Sequence, residues 1–191
     1  GAWTLYKKEV LRFIIVWIQT IFSPLISSLL FLLVLSLAIG ADRGDVLGVT
    51  FINFLAPGLI SMQVIQQSFS HSSSSFMIGK IQGNIVDLLY APLSAAEVTI
   101  AVSLASVTRA VMIAIISIII FQFIIDMEIK NYLTLIAFTL LSSFILGNIG
   151  IIAGLWAEKF DNMATVTNFV IVPLSFLSGT FYTIDRLPGF L

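Results

Sequence analysis

The sequence predicts an all-α fold, a polytopic bundle of membrane-spanning helices, and two observations predict it. Charge-free runs occupy the chain between Arg12 and Asp42, then from Val46 to Gly79, Ala110 to Ile125, Asn131 to Ala157 and Asn162 to Ile184. A hydrocarbon core about 30 Å thick is crossed by about 20 apolar residues in a helix rising 1.5 Å each, and the chain supplies such a stretch five times. Composition agrees: 59% of residues are hydrophobic and 10% charged, with a mean hydropathy of +1.09, where a soluble domain holds about 25% charged residues. Function therefore belongs to transport, signalling or intramembrane chemistry.

The elements follow in order. In residues 3–18, Trp3, Tyr6, Val10, Phe13 and Trp17 recur at steps of three and four, with Lys8, Arg12 and Gln19 opposite. That pattern predicts an amphipathic interfacial helix, its basic face toward anionic head groups. The first span is expected over 21–39, ending in the turn cluster Gly40 to Asp45, and the second over 51–70. Charge returns in Ser72 to Glu97, and the third span then reaches Ile125. After a short loop with Asp126, Glu128 and Lys130, a fourth span covers 133–156 and a fifth 165–181. The whole reads as one transmembrane domain, 1–191, cut at both ends and lacking a sixth span.

Lysine and arginine set the orientation. Lys7, Lys8, Arg12, Lys80 and Lys159 fall on one side, and Arg43, Lys130 and Arg186 on the other. The richer side is expected to be cytoplasmic.

The segment 72–94 carries the clearest candidate for a cytoplasmic interaction. Its serines offer an N-cap and Pro92 stops the helix by disfavouring helical geometry at Ala91. A helix from Phe76 to Tyr90 would place Ile78, Ile81, Ile85 and Leu88 on one stripe, with Lys80, Asn84 and Asp87 on a polar row open to a soluble partner. Arg109 lies well inside the third span, where an ionisable group costs about 2.5–3.5 kcal/mol on insertion scales. It is expected to snorkel and pair with a carboxylate such as Glu97, or to line a polar passage. Asn53, Gln63, Gln66 and Gln67 are further pathway candidates, or helix-bridging amides. Gly147, Gly150 and Gly154 share one face of the fourth span, a close-packing signal whose partner helix the sequence leaves open.

Enzymatic readings fare poorly. The chain has no cysteine and one histidine, which removes thiolate chemistry and histidine-rich metal centres. His71 and Ser178 would lie about a bilayer apart, against the about 3 Å a nucleophile and base require. No glycine loop with lysine and serine for phosphate is present, so any ATP is expected on another chain. A secondary transporter driven by an ion gradient would show repeated halves, and none is visible; a non-transporting membrane enzyme or scaffold is the other alternative.

The run Pro173-Leu174-Ser175-Phe176-Leu177-Ser178-Gly179-Thr180-Phe181-Tyr182, followed by Asp185-Arg186-Leu187-Pro188, resembles the signature near the end of the fifth span in type-2 ATP-binding-cassette (ABC) exporter permeases. Gly83, Leu88, Leu89, Pro92, Leu93, Ser94 and Glu97 are similar to that family's coupling region, and the amino-terminal helix and Arg109 also match its pattern. Thr183 departs from it, standing where the family often has proline. The resemblance implies a multi-pass permease of the bacterial inner membrane, paired with a second permease and with a cytoplasmic ABC ATPase that binds the ATP. It implies that Lys80, Gly83, Asn84, Asp87, Pro92 and Glu97 couple to the ATPase, and that 179–191 begins an external re-entrant region. Polysaccharide and drug exporters are the nearest branch, with the cargo left open.

Overall fold

The computed structural model describes residues 1–39, 48–125, 127, 129 and 131–177. These form α1 (Ala2–Ile15), a π-helical turn (Ile18–Phe22), α2 (Ser23–Ile39), α3 (Phe51–Ile81), α4 (Ile85–Tyr90), α5 (Ala95–Ile125), α6 (Tyr132–Trp156), α7 (Phe160–Val166), a second π-helical turn (Thr167–Ile171) and α8 (Val172–Leu177). Ser178, Gly179, Phe181 and Pro188 of the fifth-span signature lie outside the described residues, as do the acidic turn after α2 and the charged residues Asp126, Glu128 and Lys130.

Among the described residues, four stretches are long and apolar enough to cross a membrane: Ile18–Ala38, Ala95–Ile125, Tyr132–Trp156 and Phe160–Leu177. The remaining long helix, α3, falls short in apolarity because Gln63, Gln66, Gln67, His71 and a run of serines interrupt it. Its position explains why it can be polar. α3 packs against α2, α5, α6 and α8, so its polar groups meet protein rather than lipid tails.

α3 also corrects the expected second span. It does not stop near Ser70 but runs unbroken to Ile81, so Ser72 to Ser75 are helix interior rather than an N-cap. Ser73 and Ser74 donate to the carbonyls of Ser70 and His71 at 3.3 and 3.0 Å, which satisfies their hydroxyls inside the helix. At 1.5 Å per residue, the 31 residues of α3 and of α5 reach about 46 Å, some 16 Å more than the hydrocarbon core. Both helices therefore project beyond the membrane.

Small residues bring α6 onto α3. A Cβ on Gly150 would stand 2.5 Å from the Phe69 carbonyl oxygen, and one on Gly154 would stand 2.8 Å from that of Ser73. Gly147 faces the buried hydroxyls of Ser106 and Ser72. The helix that the glycine stripe serves is thus in the same chain, and dispersion contacts between near-touching backbones hold it there. Ser103 on α5 donates to Asn148 on α6 at 3.2 Å, completing the α3–α5–α6 core. Asn131 caps α6 by accepting from the Thr134 amide at 3.1 Å.

Candidate functional site

Three features bear on function, the first of them at the end of the bundle where α3 stops. The first is the short helix α4. α3 ends at Ile81, and Gly83, at φ +75°, makes the left-handed turn that a side chain would strain. α4 then runs only to Tyr90, where Ala91 becomes extended ahead of Pro92. The expected helix from Phe76 to Tyr90 is therefore two helices around a hinge residue. Ile85 and Leu88 pack beneath α4 on the cluster of Phe76, Val102 and Ile151. Its outer surface carries Asn84 and Asp87, but also Val86, Leu89 and Tyr90, with Tyr90 86% exposed.

Two residues of the expected coupling set make bonds within the chain. Lys80 Nζ donates to the carbonyl of Ala157 at 2.9 Å and to that of Leu155. It ties the end of α3 to the carboxyl end of α6, where free carbonyls and the helix dipole attract a cation. Glu97 forms a capping box with Ser94: its carboxylate accepts from the Ser94 amide and hydroxyl at 2.8 and 3.1 Å, and its own amide donates to Ser94 Oγ at 3.2 Å. The pairing of Arg109 with Glu97 does not form, since twelve residues of one helix separate them by about 18 Å.

The second feature is a buried polar cluster. Arg109 donates instead to Gln67 Oε1 on α3. Close by, Arg12 Nη2 lies 3.0 Å from Glu9 Oε2 and donates to the His71 carbonyl at 3.0 Å, while its Nη1 donates to Ser74 at 3.4 Å. His71 is fully buried, with Nε2 3.7 Å from Glu9 Oε2 and its ring edge-on to Phe13. Tyr6 and Thr108 hydrogen-bond at 2.9 Å, so α1 is joined to both α3 and α5. This corrects the expected face of α1. Leu5, Glu9 and Phe13 are its buried residues and Arg12 turns into the protein, while Trp3 and Trp17 remain exposed. Lys7 and Lys8 stay on the outside.

Glu9 was not foreseen in the sequence. The available signal was charge balance: Arg12, at i+3 from Glu9, and Arg109 both need an anion.

The third feature is a pair of crevices. One, of about 210 Å³, is bounded by Ser27, Ser28 and Phe31 of α2, by Leu59, Met62, Gln63 and Gln66 of α3, and by Val172 and Phe176 of α8. Gln63 donates to Ser28 at 2.9 Å across it. Gln63 and Gln66 thus share this face, whereas Gln67 points to Arg109. Pro173 lies on α8 beside the crevice residue Val172. A wider one, of about 520 Å³, opens between the first half of α3 and the first half of α6, lined by Pro57, Ile60, Val64, Thr134, Phe138 and Ser142 among others.

The sequence profile described as "ABC-2 type transporter" matches residues 1–191. The chain belongs to that family. It is a membrane permease subunit of an ABC transporter, multi-pass in the inner membrane, and the ABC-2 family works with an ATPase. The protein named "Inner membrane transport permease YadH" in Escherichia coli K12 is 30% identical over 187 residues, covering 98% of this chain and 73% of that one. The protein of the same name in Shigella flexneri is similar to the same degree. No solved structure matches the chain.

Proposed function

We propose that this permease exports its cargo on ATP hydrolysis by a separate cytoplasmic ABC ATPase, that α4 is the surface the ATPase grips, and that two permeases form the path. The observation that carries the reading is α4 itself. It sits at the projecting ends of α3 and α5, is anchored from beneath by Ile85 and Leu88, and offers Leu89, Tyr90 and Val86 beside Asn84 and Asp87. An apolar knob rimmed by polar groups is the composition of an interface centre. ATP would be bound by the partner alone. The uncharged crevice between α2, α3 and α8, with Gln63 and Gln66 on its wall, is the part of the path this chain would supply. Its amides and hydroxyls offer hydrogen bonds to a cargo without adding a buried charge.

Co-purification with the ATPase tests the reading. Replacing Leu89 and Tyr90 by Asp, in a variant that still inserts and folds, is expected to abolish association. Replacing Asn84 and Asp87 by bulky groups is expected to weaken it. Undiminished association of both variants would remove α4 from the interface.

A further inference from the structure

We propose that Glu9 is a positioning residue for transport, acting through Arg12 to make α1 move with the projecting end of α3; the proposal rests on the ATP-driven reading above. Glu9 is the one buried carboxylate among the described residues, and it lies 3.0 Å from the Arg12 guanidinium, while the Arg109 guanidinium is held on Gln67, one turn before His71 on α3. Both guanidinium groups bond to the same stretch of α3, Arg12 to the His71 carbonyl and Arg109 to Gln67. Without the Glu9 charge those two cations would repel each other across a medium that screens poorly. With it, the Arg12 fork is held at 3.0 Å by Glu9 and aimed at the His71 carbonyl, also at 3.0 Å, and at Ser74. The nitrogen that meets the carboxylate, Nη2, is also the one that donates to the His71 carbonyl, so the Glu9 charge draws that end of the guanidinium to where it bridges to α3.

The consequence is mechanical. α1 leads through the π-helical turn Ile18–Phe22 into α2, which forms one wall of the uncharged crevice through Ser27, Ser28 and Phe31. A π-helical turn is a common site of local adjustment within a helix. A displacement entering at α4 reaches α3, crosses into α1 through the bonds of Arg12 to the His71 carbonyl and Ser74, and so reaches the helix that lines the path. Glu9 itself touches neither cargo nor ATPase in this scheme.

The chain has no cysteine, so paired labels can be placed freely. Leu11→Cys on α1 and Ile81→Cys at the end of α3, both exposed, would report the α1–α3 distance in the permease–ATPase complex in lipid nanodiscs, with and without a non-hydrolysable ATP analogue. A narrow distance is expected in both states. In Glu9→Gln the distribution is expected to broaden, and transport per ATP hydrolysed to fall about tenfold, within the usual range of coupling between sites. Glu9→Asp, which keeps the charge, is expected to restore most of both. Adding Arg12→Gln to Glu9→Gln is expected to cost nothing further, because Glu9 acts through Arg12. A Glu9→Gln complex that is merely less heat-stable, with the distance still narrow and the transport ratio intact, would overturn the proposal. Should Glu9→Gln fail to fold, Glu9→Asp carries the test: transport per ATP as poor as in Arg12→Gln alone would overturn it, since the charge would then be idle. If no ATPase binds even the unsubstituted chain, the functional reading fails, while the α1–α3 distance of the permease alone still decides whether Glu9 holds α1.

Discussion

The two ends of the α3–α6 pair are built in opposite ways. Toward the projecting end, Gly147, Gly150 and Gly154 let the α6 backbone lie against Phe69, Ser72 and Ser73, and Lys80 ties the helix ends together through carbonyls of α6. Toward the other end, Leu135 and Phe138 stand opposite Pro57, Ile60 and Val64, and about 520 Å³ stays open between the helices. Both regions belong to the same two helices, so the difference lies in side-chain volume. Small residues close one end into a rigid block, and bulky ones prop the other apart. For a machine driven from its projecting end, rigidity where the force enters and space where helices must shift is the useful distribution.

The comparison can be broken most directly at the closed end. Gly150→Leu is expected to prevent the α3–α6 approach and unfold the bundle, read as loss of the monodisperse peak in detergent. Gly150→Ala, whose Cβ would meet the Phe69 carbonyl at 2.5 Å, should cost about 1–3 kcal/mol, the usual range for overpacking. The same added volume at the open end should pass almost unnoticed: Thr139→Leu, lining the wide crevice, is expected to stay within about 0.5 kcal/mol. Lys80→Met removes charge-assisted bonds to α6 carbonyls and should cost about 2 kcal/mol, visible as a lower melting temperature with the ATPase still bound. One more substitution sharpens the contrast from outside it. Asn131→Ala, which removes the α6 cap at the open end, should cost about 1 kcal/mol.

Much of this architecture was legible because it follows from periodicity and length. The first, third and fourth spans are close to where charge-free runs placed them, and the glycine stripe announced close packing. α3 was misjudged at its lower end because a run of serines normally signals a helix start. Here back-bonding of Ser73 and Ser74 to Ser70 and His71 keeps the helix intact, and the small side chains of Ser72 and Ser73 are what admit α6. The face of α1 was misjudged because a basic residue beside lipid was assigned to lipid. Arg12 instead reaches the His71 carbonyl and Ser74 of α3, tertiary contacts that no helical wheel of α1 alone contains. At α4 a polar row of Lys80, Asn84 and Asp87 was expected to face outward; Asn84 and Asp87 are exposed, Lys80 is engaged on α6, and Leu89 and Tyr90 face outward as well. Which apolar residues of a six-residue helix are covered depends on the Gly83 turn, and only the fold sets that direction.

The central claim is that the closed end moves as one body while the uncharged crevice changes width. Distances measured by paired spin labels in the ATPase complex test it most directly, with one pair at Ile81 and Leu155 across the closed end and another at Phe31 and Phe176 across the crevice. On ATP binding the first distance is expected to hold and the second to shift. A shift in the first with the second unchanged would contradict the account.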